Sequence, residues 1–290
     1  MPAQEKSSLN QEIPILGIVA GGGVLPERLA QACESLGVEP FIVAFEGHTD
    51  MNVVQGRAHM IGRMSGAGSI IKTLRAHNIK DLVLIGAMRR PHFSELRPDL
   101  FTAGFIMRLG MRALGDSDML SAIRADLEKH GFTLHGVHEF INDLLMQEGV
   151  LGRHKPTKAD WVDIERGMEV SQKIGALDVG QSVIVQGGVV LGVEAVEGTD
   201  ELIRRCGALK RKAPGGVLVK TCKPQQDRDF DLPTIGPDTI NNVAKAGLAG
   251  IAIHAGDSLL IDPQKVAEIA DRNKMFVIGV DVGKHVTKTE

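Results

Sequence analysis

Leu16-Gly-Ile-Val-Ala-Gly-Gly-Gly-Val-Leu-Pro26 leads from an apolar stretch of strand length, through three consecutive glycines, to a proline at the head of a helix-period segment. Ile15 to Ala20 reads as a buried strand, Glu27 to Leu36 repeats its apolar residues at helical spacing, and Pro40 to Phe45 is a second apolar run. Strand, helix, strand is the βαβ unit, and it builds a parallel sheet covered by helices. The alternation continues with a helix over Ser69 to His77, which carries Ile70, Ile71 and Leu74, and a strand over Asp81 to Ile85. A further helix over Ser117 to Lys129 places Leu120, Ile123 and Leu127 on one face. The expected first domain is therefore a Rossmann-like parallel sheet spanning residues 13–145.

After residue 146 the composition changes to Gly149, Gly152, Arg153, His154, Lys155 and Pro156, a short linker. A second α/β domain with a mixed sheet is expected over 156–285. It begins with a helix from Ala159 to about Ile174. Ser182 to Gln186 and Val189 to Val193 flank Gly187-Gly188, a two-residue hairpin signal. A helix from Thr199 to Cys206 and a strand from Val217 to Thr221 follow. The next helix enters at Pro237 and leaves at Gly247, as the proline-in, glycine-out asymmetry requires. Strands over Leu248 to Ile253 and Met275 to Val280 flank a last helix from Pro263 to Arg272.

The chain has 290 residues, enough for two domains with their own cores. A net charge of −3 argues against nucleic acid as the main partner, since binding that backbone needs a dense basic surface. There is no tyrosine and a single tryptophan, Trp161, which disfavours stacking platforms for single strands. Cys33, Cys206 and Cys222 are odd in number and lack CxxC spacing, which fits idle thiols in a reducing compartment. Met1 to Glu12 is polar and without a signal-peptide core, and no apolar run approaches the roughly 20 residues of a membrane span. The expected location is cytoplasmic, free or peripheral on a membrane.

Chemistry concentrates in Lys223-Pro-Gln-Gln-Asp-Arg-Asp-Phe-Asp-Leu-Pro-Thr-Ile-Gly236. Asp227, Asp229 and Asp231 alternate, and alternate residues of an extended chain share a face. Neighbouring carboxylates there repel by about 2 to 3 kcal/mol at about 7 Å and an effective dielectric near 20. Lys220, Lys223, Arg228 or a bound divalent cation would offset that repulsion. In a straight strand Asp227 and Asp231 would stand roughly 13 Å apart, so only adjacent members could share one ion unless the chain bends. Asp231, beside the Leu-Pro-Thr turn, is the leading candidate; a solvated edge strand is the alternative.

Other positions carry weaker signals. Gly21-Gly22-Gly23 stands where backbone N–H groups can meet a phosphate, although proline replaces the third glycine of the dinucleotide fingerprint. Arg89 and Arg90 follow a strand at the carboxyl edge and suit a diphosphate, or form a solvated loop pair. Glu194, Glu197 and Asp200 offer metal ligands or a base, while Thr199 or Asp200 can cap a helix. Asp178 and Gln181 suit nucleotide or sugar hydroxyls, or a turn. His135-x-x-His138-Glu139 lacks the HExxH zinc pattern and reads as histidine on a half-buried strand. Leu100 to Leu114 could line an acyl-chain groove or pack in a core.

Taken together, these blocks resemble the UDP-2,3-diacylglucosamine pyrophosphatases of the LpxI type. The resemblance is carried by Lys223-Pro224, Gln226-Asp227 and Asp231-Leu-Pro-Thr-Ile-Gly236, by Leu16 to Pro26, by Gly115-Asp116, by Leu177-Asp-Val-Gly-Gln181 and by Glu194-Ala-Val-Glu-Gly-Thr-Asp200. It implies Mg²⁺-dependent cleavage of UDP-2,3-diacylglucosamine to UMP and 2,3-diacylglucosamine 1-phosphate (lipid X) in lipid A synthesis. It maps the essential aspartate onto Asp231, with Asp227, Glu197 and Asp200 as further metal candidates. Substrate contacts are expected at Gly22, Gly23, Arg89, Arg90, Asp116, Asp178, Gln181, Thr199, Lys220 and Lys223. A homodimer peripheral to the inner membrane, acting in a cleft between the domains, is also implied. Asp229 departs from the family pattern, as does Gly115-Asp116-Ser117-Asp118. Two other classes remain open: a nicotinamide-dependent oxidoreductase, using the glycine turn and Glu46, and a nucleotide-lipid carrier without turnover.

Overall fold

In the computed structural model of the chain, residues 13–87, 102, 104, 116–141, 143–209, 211, 215–228 and 231–286 are described. Elements are numbered in chain order. The chain divides into two units, Met1–Asn142 and Asp143–Glu290.

The first unit starts with β1 (Ile15–Ala20), α1 (Leu25–Leu36), β2 (Glu39–Phe45), β3 (His59–Gly62), α2 (Ala67–Ala76) and β4 (Asp81–Ile85). It closes with α3 (Asp116–Lys129) and β5 (Thr133–Leu134). The sheet order is β3-β2-β1-β4-β5 with every pairing parallel, which is the expected Rossmann-like arrangement. Phe41, Val43 and Phe45 of β2 pack with Ile71 and Leu74 of α2 and with Ile79, Leu82 and Phe132. α1 ends at Gly37 with φ of 78°, a left-handed cap that glycine adopts without a Cβ penalty.

The second unit contains β6 (Gly149–Leu151), α4 (Lys158–Ala176), β7 (Ser182–Gln186), β8 (Val189–Val193), α5 (Gly198–Gly207) and β9 (Val217–Lys220). It continues with β10 (Thr234–Ile235), α6 (Pro237–Ala246), β11 (Gly250–His254), β12 (Leu259–Leu260), α7 (Pro263–Arg272), β13 (Phe276–Val280) and α8 (Val282–Val286). Its main sheet runs β6-β13-β11-β9-β7-β8. β9, β11 and β13 are parallel, whereas β6, β7 and β8 join antiparallel, so the sheet is mixed as expected.

Both faces of this sheet are covered. Ile164 and Met168 of α4 pack with Val217, Val219, Ala252, Phe276 and Ile278. Leu202 and Ile203 of α5, Ile240 and Val243 of α6, and Val266 and Ile269 of α7 pack with Ile184, Leu218, Ile251 and Val277 on the other. Gly167 lets α4 lie against β9, because a Cβ there would overlap the Val219 side chain. α4 starts with a capping box: Thr157 Oγ1 accepts from Asp160 N–H, and Asp160 Oδ2 accepts from Thr157 N–H at 2.7 Å. The Gly187-Gly188 hairpin turn has φ of 60° and 75°, and the buried Asp163 carboxylate accepts both glycine N–H groups at 3.0 and 2.6 Å.

The segment 223–231 departs from expectation. Its described residues, 223–228 and 231, turn rather than extend: Gln226 N–H donates to Lys223 C=O at 3.0 Å, and Asp231 N–H donates to Asp227 C=O at 2.9 Å. The chain bends where a straight strand would have held Asp227 and Asp231 apart. The short strands β3, β5, β6, β10 and β12 were also not anticipated, being too brief to show a period.

Candidate active site

The carboxyl ends of parallel strands are where open α/β sheets hold their ligands. In the second unit that edge is extended by the start of β7 and the end of β8, because Ser182 pairs with Lys220 and Val183 with Val193. Side chains along β9 alternate: Val217 and Val219 face α4 while Leu218 faces α5 to α7. Lys220 therefore follows Leu218 to that second face.

Lys220 is 8% exposed, and its Nζ donates to Thr199 Oγ1 at 3.2 Å and to Thr234 C=O at 3.3 Å. Burial pushes its pKa down, against the pull of the Glu194, Asp200 and Asp231 carboxylates. Three acids from three segments thus act through space on one buried ammonium. Glu194 is itself buried; its Oε1 accepts from the Thr199 hydroxyl at 2.7 Å and its Oε2 from Gln181 N–H at 3.1 Å. Gly180 makes the second bond reachable, since a Cβ at that position would overlap the Glu194 carbonyl. Asp200 Oδ1 accepts from Asn242 Nδ2 at 2.9 Å.

Asp231 sits on the turn after β9. Its Oδ2 accepts from Gln226 Nε2 at 2.8 Å, the one hydrogen bond to its carboxylate among the described residues. Behind the same turn, Arg228 Nη2 meets Asp257 Oδ2 at 3.0 Å, and His254 Nε2 meets that oxygen at 3.2 Å. Burial holds the His254 imidazole below its ordinary pKa, Asp257 opposing and Arg228 assisting. The Arg228 side chain remains 68% exposed. Burial pushes the Cys222 thiol up to about 12, with Asp257 adding to the shift, so this cysteine is inert as a nucleophile.

The expected site residues are not all brought to one place. Lys220, Thr199, Asp200 and Asp231 converge, and Gln181 reaches them through Glu194. Gln181 Oε1 is buried without a hydrogen-bond partner, an acceptor available to a ligand donor. Lys223 and Asp178 instead form a pair at 2.6 Å, Lys223 being 9% exposed. Glu197 is drawn to Arg205 at 2.8 Å; its own backbone N–H, first, and that guanidinium hold its pKa below the usual range. Gly22 N–H is spent on Ala87 C=O at 2.8 Å, and Gly23 N–H on Asp50 Oδ2 at 3.1 Å. Arg89, Arg90, Asp229 and nearly all of Leu100 to Leu114 lie outside the described residues, as does the Asp116 side chain at the start of α3.

For a divalent cation, the donor set fits one mode only. Among the described residues no group of three or more His, Cys, Asp or Glu is arranged to hold a metal ion. Asp231 offers a carboxylate with one oxygen oriented by Gln226, which suits magnesium held by one or two carboxylates, substrate phosphate and water. His135, the histidine of the weak zinc pattern, lies between Asp81 Oδ1 at 2.9 Å and Glu139 Oε2 at 3.2 Å. It is part of an ion cluster in the first unit.

Sequence reasoning missed Gln226, Asn242, Thr234, His254 and Asp257. Gln226 lay inside a quoted block without a role, and Thr234 acts through a backbone carbonyl, which side-chain identity cannot reveal. Asp257 and Arg228 are 29 positions apart and meet only because β11 lies beside β9.

Comparison with known proteins covers both units. Residues 15–144 match the LpxI N-terminal domain, and residues 147–278 match the LpxI C-terminal domain. The UDP-2,3-diacylglucosamine pyrophosphatase LpxI of Caulobacter vibrioides is 38% identical over 273 residues, covering 92% of this chain and 97% of that one. Both halves match in order and the similarity spans nearly the full length, so the chain belongs to the LpxI family.

Proposed function

We propose that this protein hydrolyses the diphosphate of UDP-2,3-diacylglucosamine, giving UMP and 2,3-diacylglucosamine 1-phosphate. The observation that carries the reading is Asp231: a carboxylate on the loop after a parallel strand, turned by Gln226 and near the Lys220 charge. The relative's name states the same activity for that protein.

The chemistry balances simply. A water oxygen bonds to one phosphorus, the bridging P–O bond on that phosphorus breaks, and the water proton passes to a carboxylate or to solvent. The phosphate that leaves is a good leaving group and needs little protonation. Asp231 would hold Mg²⁺, with Asp227 on the same turn as the second candidate ligand. When bound, the ion supplies charge neutralisation for the diphosphate and acidifies its water. Arg228, anchored by Asp257 and otherwise exposed, is the cation of this turn suited to grip phosphate oxygens. Lys220 keeps Glu194 and Asp200 compensated, leaving Asp231 to the reaction. Gln181 Oε1 supplies an acceptor for a sugar hydroxyl or a uracil N–H.

No helix among the described residues is long and apolar enough to cross a membrane. We extend the reading to a homodimer acting peripherally on the inner membrane surface, which a diacylated substrate would favour. UMP release from detergent-dispersed substrate, with magnesium and with chelator, tests the proposal. Release that needs both metal and Asp231 is the expected result; release unchanged in Asp231→Ala would remove the assignment.

A further inference from the structure

We infer that Asp178, Lys223 and Gln226 form a buried relay that sets the orientation of the Asp231 carboxylate, with Gln226 as its positioning residue. The inference rests on the reading of Asp231 given above and reassigns two residues that sequence reasoning placed against substrate.

Gln226 is 7% exposed, and both ends of its amide are used. Oε1 accepts from the Lys223 backbone N–H at 3.0 Å, and Nε2 donates to Asp231 Oδ2 at 2.8 Å. Lys223 N–H can only donate, so it fixes which end of the amide is oxygen and leaves the NH₂ group facing Asp231. Gln226 N–H also bonds Lys223 C=O, and Asp231 N–H bonds Asp227 C=O. The turn that carries both side chains is closed by its own backbone.

Lys223 is held from the other side. Its Nζ pairs with Asp178 Oδ1 at 2.6 Å, with the two side chains 9% and 20% exposed. Asp178 follows α4 in a left-handed conformation with φ of 55°, so the α4 terminus grips the turn. Gln225 Nε2 adds a bond to Gly175 C=O at 2.7 Å, and Gln172 Nε2 one to Cys222 C=O at 2.8 Å. The chain of contacts runs from a rigid helix end to one oxygen of the reactive carboxylate. The geometry leaves Oδ1 directed by default, which is how outer contacts tune a ligand or base.

The test replaces the donor and keeps the shape. Gln226→Glu retains an acceptor for Lys223 N–H but opposes two carboxylates, so one must hold a proton. We expect kcat for UMP release to fall roughly 10- to 100-fold while KM changes by less than about three-fold. The acid limb of the kcat profile should rise by about one pH unit or more. Asp178→Asn, which cuts the outer end, should lower kcat by about three- to ten-fold with thermal stability nearly kept. Combining the two changes should cost less than the product of the single losses, as expected of groups in series.

A Gln226→Glu protein with wild-type kcat and pH limb overturns the relay and leaves the hydrolase reading standing. A wild type that releases no UMP removes the hydrolase reading instead, and the relay's role with it. Should Gln226→Glu fail to fold, Asp178→Asn decides: wild-type kcat in that variant overturns the relay.

Discussion

The two units present similar turns after strands of parallel sheets, and they treat them oppositely. In the first unit, the crevice between β1 and β4 is the topological switch point where such folds take ligands. Here main chain bonds across it: Gly21 N–H bonds Ile85 C=O at 2.7 Å, and Gly22 and Ala87 exchange both N–H···O bonds at 2.8 and 2.9 Å. In the second unit, the turn after β9 spends its backbone bonds on itself and orients the half-buried Asp231 carboxylate through Gln226. Position at a carboxyl edge therefore marks where a ligand could sit. Which polar groups are already spent limits the bonds a ligand there can make.

The largest expected effect breaks the second turn. Asp231→Ala should reduce UMP release by roughly 10²- to 10⁴-fold, with urea unfolding lowered by only about 1 kcal/mol for the Gln226 amide left without its acceptor. A comparable loss of stability would make Asp231 structural and erase the contrast. Next comes Lys220→Ala, which leaves Glu194 buried beside other acids without its cation. It should lower the unfolding free energy by about 3 to 5 kcal/mol in denaturant titration. Stability unchanged in that variant would mean that the acids are compensated elsewhere.

Gly21→Ala probes the closed turn. A Cβ there would meet Ala87 O and Gly86 C at 2.7 Å, both backbone atoms that cannot swing aside. A loss of about 1 to 3 kcal/mol is expected, and a tolerated alanine would show the crevice to be wider than drawn.

The smallest effect concerns pH. Burial lowers the His135 pKa, but its hydrogen bonds to the Asp81 and Glu139 carboxylates outweigh that, and the net direction is upward. A folded pKa above the unfolded one, about 6.5, means the contribution is complete below that pH and fades as pH rises through the folded value. The first unit should thus lose stability as pH climbs past about 6.5, and His135→Gln should flatten that slope in melts taken across the range. A slope of opposite sign would place His135 neutral between its acids.

Much of this was legible from residue order alone. β1, β2 and β4 show as apolar runs because strands buried on both faces have no polar alternation to hide them. Gly187-Gly188 marked the hairpin, and Pro237 and Gly247 marked the ends of α6, because each position needs a backbone conformation that few residues adopt. Asp231 stood out because an acid beside Leu-Pro-Thr lies on a loop. Of the straight and bent forms open to Asp227 and Asp231, the bent one is found, because alternation of charge carries no packing signal and local backbone bonds prevail.

By itself, then, the sequence determined the periodic elements, the chemical groups available and, through its ordered blocks, membership in the LpxI family. Only the tertiary structure decided which groups are spent. Lys223 and Asp178 are 45 positions apart, and Lys220 and Glu194 belong to different segments; nothing in composition pairs them. The physical reason is that charge and hydrogen-bond capacity are neutralised by neighbours in space. A sheet that sets β9 beside β7 and β11 assigns those neighbours without regard to their distance along the chain.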